Sequence, residues 1–164
     1  MFKSRFLHFF SKFYGYFVSV GSNLQSLFLL WMRLTWGHQF FLVGLGKLAT
    51  IDQVTTYFSS LGIPHSHFYA CLVAFIEIIG GLLLIAGFAS RIAGLVCAFT
   101  MITAIGTAHS SILSHFRFLF DPSAFVGEAP YPFLMTSLLI FIFGPGRISI
   151  DGWIKRWSER QPKY

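Results

Sequence analysis

The sequence predicts an all-α protein: a four-helix transmembrane bundle preceded by an N-terminal interfacial amphipathic helix. Three observations carry this reading. Of 164 residues, 55% are hydrophobic and only 11% are charged, whereas a soluble domain averages about 25% charged. The apolar residues gather into four runs separated by turn-forming breakers. Lys and Arg crowd the segments that would share one side of a membrane.

Residues 1–26 form the first segment. Lys3, Arg5 and Lys12 stand among Phe2, Phe6, Phe9, Phe10, Phe13, Tyr14, Tyr16 and Phe17. Basic residues suit anionic lipid, and aromatic rings suit the headgroup level, so an interfacial helix is expected. Lys12 splits the apolar stretch and no A-x-A-like site follows, which argues against a cleaved signal peptide. Residues 27–152 form the membrane domain. The first span is 27–46, LFLLWMRLTWGHQFFLVGLG, closed by Lys47. Residues 48–67 read as a polar loop broken by Gly62 and Pro64.

The second span, 68–89, has Glu77 as its single side chain of the Asp, Glu, Lys or Arg type. Its length matches the ~20 apolar residues that cross a ~30 Å hydrocarbon core. Ser90–Arg91 is a short turn, so the third span, 92–112, is an antiparallel neighbour. A loop over 113–130 leads to the fourth and shortest span, 131–144, which Gly144-Pro145-Gly146 ends. Residues 153–164 are a basic tail, with Trp153 and Trp157 suited to an interface.

Four spans put both termini on one side. The N-terminal segment, the 90–91 turn and the C-terminal tail hold Lys3, Arg5, Lys12, Arg91, Arg147, Lys155, Arg156, Arg160 and Lys163. The other two loops and their edges hold Lys47 and Arg117. Nine against two places both termini in the cytoplasm by the positive-inside rule. The basic balance therefore suits a lipid bilayer, and no stacking motif or interleaved basic patch supports nucleic acid.

A carboxylate at mid-span needs a partner, a proton or a water-filled cavity. Gly80 and Gly81 follow Glu77 by three and four residues and would admit another helix closely. On the first span, Arg33, Gly37, Phe40, Gly44 and Lys47 recur by steps of 4, 3, 4 and 3, one stripe facing the bundle interior. The alternative for the two cations is to snorkel to opposite interfaces. His38 lies at the depth of Glu77, ~14 Å from the outer end, and Arg33 is ~7 Å nearer the cytoplasm. Glu77 is thus expected to face the first helix, paired with Arg33 or His38.

His109, near the outer end of the third span, is either interfacial or a proton relay. His65 and His67 form an H-x-H pair without further ligands, so no metal site is expected. Cys71 and Cys97 stand in apolar runs outside any C-x-x-C motif. No nucleophile–base set, phosphate loop or zinc signature is present, so the residues alone define a polar bundle interior but no reaction.

Several stretches in order resemble one family. R-x-x-x-G-x-x-F-x-x-x-G-x-x-K (Arg33 to Lys47), F-x-x-L-G-I-P (Phe58 to Pro64), E-I-I-G-G-L-L-L-I-A-G (Glu77 to Gly87), the Arg91 turn and G-P-G-R-I-S-I-D (Gly144 to Asp151) are similar to DoxX-family membrane proteins. The resemblance implies a four-helix fold in the bacterial inner membrane. It also implies a link to thiosulfate:quinone oxidoreductase subunits of the DoxD and DoxA types, or to oxidative-stress enzymes.

Three roles follow. In a redox subunit, Arg33, His38, Lys47, Glu77 and His109 would line a pocket, with a quinone or a partner redox subunit carrying electrons. In a non-enzymatic assembly protein, the basic side would dock a soluble enzyme and the buried ion pair would be structural. A small transporter subunit, as a homo-oligomer, is the third.

Overall fold

A computed structural model describes residues 2–108 and 122–160; of residues 2–11, 122 and 124 it describes the backbone alone. The described elements are helical throughout: α1 (Phe2–Ala49), α2 (Ile51–Ser60), α3 (Ser66–Ala86), α4 (Ser90–Ala108), α5 (Pro122–Val126), α6 (Pro130–Phe143) and α7 (Ile150–Glu159). The all-α class is as expected. Two helices, α3 and α4, are long and apolar enough to cross a membrane, and α6 is a shorter apolar helix of 14 residues.

Three boundaries differ from the sequence reading. α1 is one uninterrupted helix of 48 residues, without a break near residues 26–27. The stretch 48–67 is not a plain loop. It contains α2, with Asp52 in its first turn and Gly62 closing it at φ 75°. The C-terminal tail likewise contains α7. There Ser149 caps the helix by accepting a hydrogen bond from Gly152 N at 2.9 Å, and Asp151 supplies first-turn negative charge.

α1 and α3 pack antiparallel, because Gly37 meets Gly81 and Ile85 while Gly44 meets Ala74 and Ile78. The approach is backbone to backbone. A methyl on Gly44 would lie 2.8 Å from Ala74 O, and one on Gly81 would lie 2.6 Å from Gly37 O. Gly87, at φ 69°, ends α3, its N–H and that of Phe88 bonding back to Leu83 O at 2.9 and 3.1 Å. The chain then reverses over three residues into α4, so the turn comes one helical turn earlier than Ser90–Arg91. α4 presses Cys97 against Gly80 of α3, and its Gly94 against the backbone of Ser137 on α6.

Phe40, Leu84, Cys97, Met101, Ile105, Leu134 and Ile140 form the shared core. Phe133 meets Phe40 edge-on, with centroids 4.7 Å apart. The outer faces are apolar too: Phe75, Ile79, Ile92, Phe99, Ile102 and Ile142 are all exposed. A water-soluble domain rarely shows so continuous an apolar exterior, whereas hydrocarbon solvates it without penalty.

Candidate functional site

Two cationic centres sit at opposite ends of the α1–α3 pair. Arg33 is 2% exposed, and among the described residues its guanidinium hydrogen-bonds backbone carbonyls alone. Nε donates to Leu84 O at 2.8 Å and Nη2 to Ile85 O at 3.1 Å. These carbonyls belong to the last turn of α3, where backbone donors run short, Leu84 O sharing only the Gly87 N–H at 3.2 Å, and the helix dipole favours a cation. Nη1 donates to Pro145 O at 2.6 Å and Ile148 O at 3.0 Å. One planar fork thus ties α1, α3 and the segment after α6 together.

The closing segment completes this clamp. Asp151 N donates to Gly87 O at 2.9 Å. The two oxygens of the Asp151 carboxylate accept from Ala89 N and Ser90 N, each at 2.9 Å, and so cap α4. Arg147 N donates to Ser26 Oγ on α1 at 3.3 Å. A side chain at Gly87 would strike both Arg33 and Ser149, so space as well as its positive φ requires glycine there. The motif from Gly144 to Asp151 is therefore a latch across one end of α1, α3 and α4.

At the other end, Lys47 Nζ donates to Glu77 Oε1 at 2.5 Å. The Glu77 side chain is 2% exposed and that of Lys47 26%. Glu77 does face α1, but its partner is neither Arg33 nor His38. Register explains the correction. The glycine contacts put Glu77 about level with residue 43, one turn from Lys47. Side chains lean toward their own helix N-terminus, so in an antiparallel pair Lys47 and Glu77 lean toward each other and close a gap of about 6 Å.

By the same rule Arg33 leans away, toward the end of α3. His38 is exposed, being ~100° round the helix from buried Gly37. The second oxygen of Glu77, Oε2, makes no hydrogen bond among the described residues. Behind the pair lies buried Cys97, whose Sγ a methyl on Gly80 would strike.

His109 lies outside the described residues. His65 and His67 are exposed at an open cleft lined by Thr55, Ser59, Ser66, Phe68 and Cys71, where Cys71 Sγ lies 3.5 Å from His67 Nδ1. Among the described residues no group of three or more His, Cys, Asp or Glu is placed to hold a metal. Gly37, Gly44, Gly80 and Gly81 are all at close helix approaches. The sequence reading missed Asp151, Ser149 and Ser26 as structural partners. A Ser followed two residues on by Asp is an N-cap signal that could have revealed α7.

The arrangement offers one cation with four of its five N–H donors committed and one charged pair with spare capacity. Arg33 has its bonds committed to backbone. Lys47 can donate to a ligand, and Glu77 can accept or release a proton through Oε2.

The DoxX family model matches residues 28–110, which contain both Arg33 and the Lys47–Glu77 pair. A curated relative, "Putative oxidoreductase CatD" of Bacillus subtilis (strain 168), is 32% identical over 127 residues, spanning 76% of this chain and 85% of that protein. No solved structure matches the chain significantly. The chain belongs to the DoxX family.

Proposed function

We propose that this protein is a multi-pass, four-helix subunit of a redox or oxidative-stress complex in the bacterial inner membrane. α1, α3, α4 and α6 are its spans, and both termini are cytoplasmic. The topology rests on the shared end where Ser26, the 87–89 turn and the latch meet. That end carries Arg91, Arg147, Lys155 and Arg156, as the positive-inside rule asks. The redox reading draws support from the family and from the relative named as an oxidoreductase.

The observation that carries the reading is the buried Lys47–Glu77 pair with one carboxylate oxygen uncommitted. Its donor set fits a quinone, because an ammonium can hydrogen-bond a carbonyl oxygen and a carboxylate can exchange its proton. A bound quinone would supply two-electron chemistry. Lys47 would orient it and Glu77 would hold or release a proton at Oε2. Arg33 takes no part, since its fork is spent on carbonyls. Electrons would come from a partner subunit docked on the basic cytoplasmic side.

The test is titration of the purified chain in nanodiscs with a short-chain quinone, alongside mass spectrometry of co-purified small molecules. Glu77→Gln should weaken binding and His38→Ala should leave it unchanged. No binding, or equal binding by Glu77→Gln, overturns the quinone reading.

One observation favours a second reading. A cation whose hydrogen bonds among the described residues all go to backbone, as those of Arg33 do, belongs to architecture, and Lys47–Glu77 could be its counterpart at the other end. The protein would then be a non-enzymatic assembly or docking protein. Replacing both Lys47 and Glu77 by Met would leave that function intact and abolish a redox one.

A further inference from the structure

α7 is tied to the bundle through its first turn. Ser149 caps it, and Asp151 is bonded through its backbone N–H to Gly87 and through its carboxylate to Ala89 and Ser90. Every residue from 153 to 160 is exposed. The tether fixes where this helix stands. Residues 87–90 join α3 to α4, the two helices long and apolar enough to cross a membrane. With those two helices as spans, α7 starts where they end, at the level of the lipid headgroups.

Its side chains sort by face. Ile150, Trp153, Ile154 and Trp157 follow i, i+3, i+4 and i+7, a stripe about 100° wide. All four are exposed, between 42% and 63%. Arg156 and Arg160 flank the stripe on the Trp153 side. Arg156 Nη1 donates to Arg147 O at 2.8 Å, which ties it to the backbone of a third exposed arginine. Lys155, on the opposite side, faces Glu159 at 3.9 Å. Among the described residues no carboxylate pairs with Arg147, Arg156 or Arg160.

We propose that α7 reads anionic lipid. The Ile150–Trp157 stripe lies in the boundary of a leaflet that carries anionic phospholipid, Arg147, Arg156 and Arg160 take its phosphates, and docking holds Asp151 on the start of α4.

Charge and position argue for this occupant. Ten residues, at ~1.5 Å each, are too few to cross a bilayer but enough to lie along one. Trp rings suit the headgroup level, and guanidinium forks match phosphate oxygens. Arginines without a carboxylate need anions, and at the ends of two spans the lipid phosphates supply them. Asp151 opens α7 and caps α4, so whatever holds α7 down also holds that carboxylate in place. The inference rests on α3 and α4 being spans. It is independent of the quinone reading, because α7 lies at the end of the bundle opposite Lys47–Glu77.

The test uses the full chain in nanodiscs of phosphatidylcholine, with or without phosphatidylglycerol. An environment-sensitive fluorescent amino acid is placed at Ile154 in the stripe, at Glu159 opposite it, or at Phe99 on the exposed face of α4. Nitroxides carried at several depths on the lipid chains serve as quenchers. Quenching at Ile154 that rises with phosphatidylglycerol, and little at Glu159, is expected. Arg156→Gln with Arg160→Gln should cut that rise roughly tenfold, and lysine at both positions should restore most of it. Hydrogen exchange at Ala89 and Ser90 should slow in the anionic discs.

Equal quenching at Ile154 in both lipids, or exchange at Ala89 and Ser90 that ignores the lipid, would overturn the proposal. Quenching at Phe99 without quenching at Ile154 would leave the spans in place and overturn the assignment of α7, whose stripe would then be open to a protein partner. No quenching at Phe99 would overturn the reading of α4 as a span, and the proposal with it.

Discussion

Arg33 and Lys47 stand on the same stripe of α1, four and three residues from the glycines that bring α3 close, yet they do opposite things. Arg33 is satisfied by dipoles: four hydrogen bonds to carbonyls from two segments and, among the described residues, none to a carboxylate. Lys47 is satisfied by a charge, and that charge retains an uncommitted oxygen. Helix direction makes the difference. Both side chains lean toward the N-terminus of α1. For Arg33 that lean leads out to the end of α3, where carbonyls short of backbone donors gather. For Lys47 it leads in, to mid-helix, where only a side chain can answer it. One end of the helix pair is closed by architecture and the other is held by a pair able to exchange protons.

The sharpest way to break this comparison is at Arg33. Arg33→Ala removes four hydrogen bonds to carbonyls, one buried and three part-buried, that join three segments, and the bundle should lose about 3–5 kcal/mol. Arg33→Lys keeps the charge but not the fork and should recover less than half of the loss. Thermal unfolding of the chain in mild detergent reads both; a lysine variant as stable as the parent would show that charge alone suffices.

Next comes Lys47→Met, which leaves Glu77 buried and unpaired. A loss of about 2–3 kcal/mol is expected, smaller than for a fully enclosed pair because Lys47 is a quarter exposed. Lys47→Met with Glu77→Met should return stability to near the parent, since apolar replacements of a buried pair are often neutral. Additivity of the two single losses in that cycle would show that the residues do not act as a pair.

Asp151→Asn should cost about 1–2 kcal/mol, because one of two charge-assisted caps on α4 is lost. Hydrogen exchange should rise first at Ala89 and Ser90; unchanged exchange there would remove Asp151 from the latch. Glycines give the smallest contrast. Gly44→Ala forces α1 and α3 apart and should cost about 1–3 kcal/mol, while Gly15→Ala, in open space, should stabilise α1 by roughly 0.5–1 kcal/mol. Equal effects of the two would deny the close approach.

Much of this was legible in the residues. The stripe from Arg33 to Lys47 and the placement of Gly81 beside Glu77 describe the α1–α3 contact as it stands, with Gly80 turned to α4, because small residues and charges avoid lipid for reasons local to the helix. The partner of Glu77 was not legible. Depth counted from span ends set Glu77 level with His38, whereas the glycine contacts set it level with residue 43, five residues or about 7.5 Å further along α1. Only the glycine register fixes it. α2 and α7 were hidden for another reason: their polar composition resembles loop, and their short helices are defined by caps such as Ser149 and Gly62 rather than by apolar length. α1 hid its continuity because basic and serine-rich residues broke the hydropathy without breaking the helix.

The central claim is that Arg33 holds the fold and Lys47–Glu77 does the work. One measurement tests it directly: the Lys47→Met, Glu77→Met chain in nanodiscs, scored in one preparation for thermal stability and for binding of a short-chain quinone. Parental stability with binding lost is the predicted result. Parental stability with binding retained would contradict the claim and make both cationic centres architecture.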